Sequence, residues 1–228
     1  MFSNRYIFIY SSVMVIIVAA ILSTAAMVLK PYQERNAAIA KIQGILKAAD
    51  TTATAENAEA LFDQLILEEL VLDQDGKIVA RYADGQFIEG NERAFDLNLK
   101  TQLYNKDQGK PFRSPMYIAE VDSERIYIIP LLGKGLWGPV YGNIAIKDDG
   151  NTVFAAEFGH DKETPGLGAE ISTEGFASQF EGKTIFNEKG EFVSITVKKG
   201  GVETMPPAEQ VHGVDAISGG TITSDAVT

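Results

Sequence analysis

The chain has 228 residues, no cysteine and two histidines, and its formal net charge at pH 7 is −11. The missing cysteines exclude disulfides, thiolate nucleophiles and thiolate-bound zinc or iron–sulfur centres within this chain, and two histidines leave little for a histidine-rich metal site. The acidic balance argues against a nucleic-acid partner, which requires a basic face, and against adsorption to anionic lipid. We therefore expect an acidic, solvated surface.

The first predicted element is an apolar run without a charged residue, Tyr6 to Leu29. As a helix, a run of about 24 residues is roughly 36 Å long, enough to cross a hydrocarbon core of about 30 Å with some tilt. A cleaved signal peptide is the alternative, but its apolar region is only about 7–15 residues long. We therefore predict an uncleaved membrane anchor over residues 1–30. Basic residues flank the run on both sides, so they do not decide its orientation.

Two helices are predicted next, in a juxtamembrane segment of residues 31–70. Pro31 is expected to end the anchor helix, because proline interrupts helical hydrogen bonding. The isoleucines of "QERNAAIAKIQGILKAA" recur at helical spacing. They indicate either an amphipathic helix continuing out of the membrane or the first helix of the soluble domain. A second short helix is predicted over "TATAENAEALFDQLI", with Thr54 as its candidate cap.

Strand patterns follow, and residues 71–228 are assigned to one soluble domain. Hairpins are predicted at Asp75-Gly76 and at Asp149-Gly150-Asn151, and further strands over "MYIAEV", "RIYIIPLL" and "EFVSITVKK". "ISTEGFASQFEGK" reads as a helix with Thr173 as a possible cap, while Pro206-Pro207 predicts a loop without regular structure. Strands outnumber helices and run mainly as hairpins, so we expect an α+β fold with a mainly antiparallel sheet.

The stretch "GKGLWG", Gly133 to Gly138, satisfies the pattern G-x-G-x-x-G. A dinucleotide site also requires a helix at the third glycine, whereas Pro139 and a β-patterned run follow here, so we reject that function. Trp137, the only tryptophan, and Tyr141 are either core or membrane-interface aromatics or a wall for a flat ligand. In the second case Lys134 adds a positive charge beside the ligand.

A second glycine-rich stretch, "HDKETPGLGAE", connects a predicted strand to a predicted helix. Such irregular loops expose backbone N–H groups that can hold the edge of a ligand. Glu163 and Glu170 could be paired carboxylates for glycoside hydrolysis, but nothing else in the sequence supports a glycosidase.

The third glycine-rich stretch is "DAISGGTITS", Asp215 to Ser224. Two glycines ahead of Thr221 allow close backbone approach to a phosphate, although a plain turn has the same pattern. Thr221 is implausible as a nucleophile in its own right, because a threonine hydroxyl needs a base and only His212 and Asp215 are near in sequence.

Together these stretches resemble a family of bacterial membrane proteins, the C subunit of the sodium-translocating NADH:quinone reductase. The resemblance spans nearly the whole chain and includes "LKPYQERN" at Leu29, "GKGLWG" at Gly133, "YGNIAI" at Tyr141, "DDGNTV" at Asp148, "ETPGLG" at Glu163, "KKGG" at Lys198 and "HGVDAISGGT" at His212. The last of these is similar to the flavinylation signature D-x-x-S/T-G-A-T. Asp215, Ser218, Gly219 and Thr221 match it, and Gly220 replaces the common alanine.

The resemblance implies FMN bound covalently through a phosphoester to Thr221, attached by a separate periplasmic flavin transferase that uses FAD and magnesium. It places the protein in the bacterial inner membrane with a cytoplasmic N-terminus and a periplasmic soluble domain. With the other subunits of the complex, this chain relays single electrons from NADH toward quinone, coupled to sodium export, and is not catalytic alone. Candidate flavin contacts are Thr164, Leu167, Gly168, Trp137, Lys134 and Tyr141, with Lys198 and Lys199 as weaker candidates.

Two alternatives stay open at this point. The G subunit of the Rnf ferredoxin:NAD oxidoreductase shares the anchor, "ETPGLG" and the flavinylation signature, but "GKGLWG" and "LKPYQERN" favour the quinone reductase family. A non-redox envelope binding module would carry no flavin.

Members of the family usually continue past the threonine into a helix, whereas this sequence ends at Thr228. Because the span carries no charge, we expect the sodium path in other subunits.

Overall fold

The computed structural model describes residues 3–227 and divides the chain into two compact units with the boundary between Lys41 and Ile42. Helix α1, Asn4–Ala48, begins in the first unit and ends in the second. Its N-terminal part is long and apolar enough to cross a membrane, by length and composition. Both interpretations of "QERNAAIAKIQGILKAA" therefore hold in part. The stretch continues the helix that contains the apolar run, and its last turns belong to the second unit.

The prediction that Pro31 ends the first helix is wrong. Pro31 lies inside α1, which continues for 17 residues beyond it to Ala48. An interior proline costs a helix about 3 kcal/mol through one lost hydrogen bond and one steric clash, and it need not end the helix. The many remaining hydrogen bonds of a 45-residue helix outweigh that cost.

Helix α2, Ala58–Leu65, is present where predicted, but Thr54 does not cap it. Asn57 occupies the cap position, and its side-chain oxygen accepts hydrogen bonds from the backbone N–H and the hydroxyl of Thr54 at 2.7 and 3.1 Å. The side chain of Asn57 therefore stabilises the turn before the helix, and Thr54 is its donor.

The second unit is built on a seven-stranded sheet of order β3-β2-β1-β4-β5-β6-β7, in which every neighbouring pair is antiparallel. Gly76 and Gly150, with φ of +75° and +68°, form the two predicted hairpin turns. The predicted α+β fold with a mainly antiparallel sheet is confirmed. The strands are β1 Ile66–Asp73, β2 Ile78–Ala83, β3 Gln86–Glu89, β4 Arg113–Val121, β5 Glu124–Lys134, β6 Pro139–Lys147 and β7 Val153–His160.

Short elements outside the sheet depart most from the predictions. "EFVSITVKK" is a strand only at β8, Thr196–Lys198, which pairs in parallel with β9, Gly213–Asp215. The predicted irregular loop contains a 3-10 helix, Pro207–His212, because proline is well suited to the first position of a helix. The further α-helices among residues 3–227 are α3 Leu99–Asp107, α4 Glu174–Ala177 and α5 Thr221–Asp225.

Helix α4 is shorter than predicted, with four residues followed by a 3-10 turn, Ser178–Phe180. Thr173 precedes it but makes no side-chain cap, and its hydroxyl instead donates to the carbonyl of Glu170 at 2.7 Å. This hydrogen bond lies at the end of the preceding 3-10 turn, Gly168–Ser172.

The core beneath the C-terminal segments joins them to strands β6 and β7. Phe158, on β7, packs against Phe176 and Phe180 with ring centroids 5.7 and 4.8 Å apart. On the opposite face of the sheet, Asn143 and Glu157 lie against Gly44 near the end of α1. One face of β6 and β7 thus supports residues 161–227, where two of the three glycine-rich stretches lie.

Candidate functional site

Helix α5 begins at the residue singled out by the sequence, Thr221, which is half-buried. The two residues that follow Ile222, Thr223 and Ser224, are buried. The hydroxyl oxygen of Ser224 accepts a hydrogen bond from the backbone N–H of Ile217 at 3.2 Å. The helix therefore has an inner side that is fixed to the domain and an outer side at the exposed Ile222, and the half-buried Thr221 lies at the edge between Ile222 and Ser224.

The hydroxyl of Thr223 donates to the carboxylate of Glu163, with 2.7 Å between Oγ1 and Oε2. The other oxygen of that carboxylate accepts from the backbone N–H of Trp137 at 2.9 Å. Glu163 is only 5% exposed. One buried side chain thus connects the three glycine-rich stretches, which are far apart in sequence.

Glycines enclose this carboxylate. A Cβ on Gly135 or on Gly168 would lie 2.5 Å from a carboxylate oxygen of Glu163, closer than real Cβ contacts. A Cβ on Gly220 would lie 3.2 Å from the backbone of Gly168. We call Glu163, Trp137, Thr223 and these three glycines the Glu163 cluster. The glycines of the cluster are therefore needed for close packing, in addition to any role they have at a ligand.

The charge of Glu163 is balanced by dipoles. Burial by itself raises the pKa of Glu163, but hydrogen bonds from the Trp137 N–H, the Thr223 hydroxyl and the Leu136 N–H, with the electrostatic interaction with His160, outweigh burial and lower the pKa overall. The carboxylate is therefore ionised at neutral pH and acts as an acceptor on both oxygens.

Exposed apolar side chains surround the cluster on the outside. They are Leu136, Trp137, Leu167 and Ile222, exposed by 53, 63, 42 and 54%. A core position for Trp137 is wrong, because most of the side chain is accessible, whereas a membrane-interface aromatic and a wall for a flat ligand both stay predictions. Leu167 packs over Gly219, whose φ of +76° brings the backbone close to the leucine side chain. Large apolar groups beside one accessible hydroxyl can hold a flat aromatic ligand.

The other predicted site residues occupy different positions around this cluster. Thr164 is exposed, and its carbonyl accepts from the N–H groups of Leu167 and Ala169, which shapes the loop. Ser218 and Lys134 are exposed, Lys134 at the end of β5. Tyr141 packs over Gly159 and lines an apolar cleft of about 430 Å³ together with Gly133 and Ala226.

Neither residue that could act as a base for Thr221 is bonded to it. The carboxylate of Asp215 accepts from the N–H of Val202 at 2.7 Å, and Nδ1 of His212 lies 2.6 Å from the carbonyl oxygen of Thr184. Within residues 3–227 no hydrogen bond joins the Thr221 hydroxyl to a carboxylate or an imidazole. This arrangement agrees with the argument that Thr221 does not activate itself.

Three residues of the site were missed from the sequence: Glu163 as a member of the site, and Thr223 and Ser224 as buried polar groups. Glu163 drew attention only as half of a carboxylate pair with Glu170. The two carboxylates have different partners, because Glu170 accepts from the N–H of Gly166 whereas Glu163 accepts from Trp137 and Thr223. The available signal was the pattern of Thr221 and Thr223 after two glycines, which places the Thr223 hydroxyl on the side of a short helix away from Thr221.

Comparisons with known proteins agree with the resemblance. The FMN-binding domain family matches residues 135–228. The C subunit of the Na(+)-translocating NADH-quinone reductase of Vibrio vulnificus is 32% identical, over 93% of this chain and 83% of that protein. The same subunit of Pseudomonas aeruginosa is 31% identical, over 89% and 80%.

Solved structures point to the same family. The crystal structure of this subunit from Parabacteroides distasonis is 35% identical, with a TM-score of 0.73 over 87% of this chain and 89% of that one. NqrC of Shewanella oneidensis is 25% identical, with a TM-score of 0.63 over 83% and 88%. Fold, sequence and site together identify the chain as a member of the family formed by the C subunit of the Na(+)-translocating NADH-quinone reductase, with an FMN-binding domain at its C-terminal end.

Proposed function

We propose that this chain carries FMN covalently on Thr221, through a phosphoester to Oγ1, and relays electrons from NADH toward quinone within the sodium-exporting complex. The observation that carries the proposal is the position of Thr221. It is the first residue of a helix that Thr223 and Ser224 fix to the domain, and it is half-buried beside the exposed Ile222, which supports a hydroxyl within reach of a second enzyme. The match of residues 135–228 to the FMN-binding domain supports the choice of ligand.

Attachment requires a second enzyme, a flavin transferase that uses FAD and magnesium. Thr221 gives up its hydroxyl proton and forms the bond from Oγ1 to phosphorus, while the phosphorus–oxygen–phosphorus bridge of FAD breaks and AMP leaves. Asp215 and His212 are bonded elsewhere, which supports activation by the transferase and not by this chain. Bound FMN supplies the one-electron chemistry.

The residues around Thr221 fit such a cofactor. Leu136, Trp137 and Leu167 offer an apolar surface for a ring, and Lys134 can balance negative charge. Glycine at 219 and 220 leaves the backbone beside Thr221 without side chains. These residues would hold and orient the group, and Thr164 and Gly168 would border it from the facing loop.

We further propose that α1 anchors the chain in the bacterial inner membrane, with its N-terminus in the cytoplasm and the second unit in the periplasm. The apolar part of α1 supports a span. The orientation follows from the proposed maturation, because Thr221 must be on the side of the membrane where the transferase works. The remaining subunits of the complex are its partners, and they supply the sodium path.

The test is production of the full chain with and without a flavin transferase, followed by a denaturing gel viewed under ultraviolet light. We expect fluorescence in the band only with the transferase, together with a mass increase equal to FMN less water. Thr221→Ala should lose both signals, and Thr221→Ser, which keeps the hydroxyl, should retain them. A wild-type chain without covalent flavin after maturation, or a fluorescent Thr221→Ala variant, would overturn the proposal.

A further inference from the structure

Helix α5 is too short to hold its own orientation. It has five residues, whereas isolated helices shorter than about 12 residues are marginal in water. Its direction therefore depends on contacts with the rest of the domain. The contacts are those of Thr223 with Glu163, of Ser224 with the Ile217 N–H, and of Gly220 with Gly168.

The contact of Thr223 also determines where Thr221 points. Two residues along an α-helix correspond to a rotation of about 200°, so side chains at these positions lie on nearly opposite sides. When Thr223 faces inward to Glu163, Thr221 lies on the side of α5 that is away from Glu163, and it is half-buried there. The hydrogen bond between Glu163 and Thr223 therefore fixes the direction of a different hydroxyl, that of Thr221.

A buried carboxylate at this position is energetically unfavourable if its only role is to fill space in the packing. Taking an ionised group out of water is strongly unfavourable unless its lone pairs are satisfied. Within residues 3–227 the Glu163 carboxylate forms no salt bridge, and it accepts hydrogen bonds from the Trp137 N–H and the Thr223 hydroxyl. The donors belong to the loop that carries the exposed tryptophan and to the helix that carries Thr221, so this carboxylate links the two parts of the proposed flavin site.

We propose that Glu163 is a positioning residue for flavin attachment: by binding Thr223 and the Trp137 backbone, it holds α5 so that the Thr221 hydroxyl faces the transferase. The inference rests on the proposed function, because it assumes that Thr221 is the acceptor. Glu163 touches neither the transferred phosphate nor the ring in this account. It acts through Thr223. The glycines that enclose its carboxylate, Gly135 and Gly168, leave no space for a larger side chain at their positions.

The first test measures the initial rate of flavin incorporation by a purified transferase with FAD and magnesium, read as fluorescence in a denatured band. Glu163→Ala and Thr223→Val should slow incorporation about tenfold or more, since a hydrogen bond to a charged group contributes about 1.5–3 kcal/mol. Thr223→Ser keeps the hydroxyl and should stay close to wild type. Glu163→Gln should also stay close, because its amide oxygen can accept from Trp137 while its NH₂ donates to Thr223.

Two controls separate positioning from general damage. Glu170→Ala removes the neighbouring carboxylate of the same loop and should leave the rate within about twofold, although it loses a hydrogen bond of similar geometry to Gly166. The double variant Glu163→Ala, Thr223→Val should be no slower than the slower single variant, because both remove one shared contact. Hydrogen exchange should show loss of protection in residues 221–225 in Glu163→Ala and in Thr223→Val.

The outcomes are distinct. If wild type accepts no flavin, the proposed function fails, whatever the variants do. If wild type is flavinylated and folded Thr223→Val matches it in rate and in exchange at residues 221–225, Glu163 does not position the acceptor. Should Glu163→Ala fail to fold, Thr223→Val, which differs from the native side chain by one hydroxyl replaced with a methyl group, decides the question alone.

Discussion

The sheet and the segments that follow it hold their structure in different ways. Strands β1 to β7 form antiparallel ladders along one sheet, so that most backbone groups are satisfied by their neighbours. Residues 161–227 have short helical turns, one three-residue parallel pair and isolated bridges, and depend on individual polar contacts such as Glu163 with Thr223. A ladder tolerates the loss of one side chain, whereas a region held by single contacts changes shape at the contact that is lost. The proposed flavin site lies in the second kind of structure.

The largest effect is expected where the two regions share a core. Phe180→Ala removes a buried ring that packs on Phe158 and Phe176, at centroid distances of 4.8 and 5.5 Å. We expect a loss of about 3–5 kcal/mol in the free energy of unfolding, measured by urea denaturation. Phe192→Ala is the matched control, since that side chain is 66% exposed, and it should cost less than about 1 kcal/mol. Equal losses for both would contradict the assignment of the shared core.

A smaller but more specific effect is expected at Gly168. A Cβ there would lie 2.5 Å from both the Glu163 carboxylate and the Thr223 hydroxyl, so Gly168→Ala must displace one of them. We expect a loss of about 1–3 kcal/mol in unfolding free energy, together with slower flavin incorporation. Gly175→Ala, where a Cβ meets nothing within 4 Å, should leave both quantities unchanged or raise stability slightly. An unchanged incorporation rate in Gly168→Ala would show that the cluster is not needed for attachment.

A loss of about 1 kcal/mol is expected when Asp215 is truncated to alanine, because the N–H of Val202 loses its acceptor. Asp215→Asn keeps an oxygen at that position, so its unfolding free energy should stay within about 0.5 kcal/mol of wild type. Thermal unfolding of the two variants beside wild type measures the difference. If Asp215→Asn is as unstable as Asp215→Ala, the hydrogen bond does not account for the effect of this residue.

The smallest predicted effect is an opposite pH dependence of the stability that two carboxylates contribute, Glu157 in the sheet and Glu163 in the segments that follow it. Burial, opposed by Asn143 and Lys47, raises the pKa of Glu157, on β7 of the sheet, whereas the pKa of Glu163 is lowered. The contribution of Glu163 is complete above its unfolded pKa of about 4.3 and is lost as pH falls through the folded value. That of Glu157 is complete below about 4.3 and is lost as pH rises through its raised folded value.

The measurement is urea unfolding of Glu157→Gln and Glu163→Gln beside wild type at a series of pH values from about 3 to about 7, the range that spans ordinary carboxyl pKa values. Relative to wild type, Glu157→Gln should gain stability as pH rises, and Glu163→Gln should lose it. Parallel curves for the two variants would contradict the opposite pKa shifts.

The sheet could be predicted from the sequence because its signals are local. Alternating apolar residues and the glycines at 76 and 150 determine strands and turns within a few residues of each other. Strand β9 and helix α5 could not, since three and five residues carry no usable periodicity. The partner of β9 lies far away in sequence, at β8.

The site divides in the same way. The proposed acceptor, Thr221, could be predicted from the sequence through its resemblance to the flavinylation signature, because the residues of that signature, Asp215 to Thr221, are close together in the chain. The bond between Glu163 and Thr223 joins residues 60 positions apart, and the burial of both depends on how three loops pack. Composition gives no sign of such a contact, because a glutamate in a loop is usually exposed. The prediction that Pro31 ends the first helix was wrong for a related reason. The local effect of the proline was outweighed by the hydrogen bonds of the long helix on both sides of it.

The most direct test of the account is to locate the flavin on the matured chain by tryptic digestion and mass spectrometry. No lysine or arginine follows Lys199, so one peptide, residues 200–228, contains both Thr221 and Thr223. We predict that fragmentation assigns the whole added mass, FMN less water, to Thr221. Assignment to the buried Thr223, to Thr204, or to any other peptide would contradict the central claim that the fold presents Thr221 for attachment.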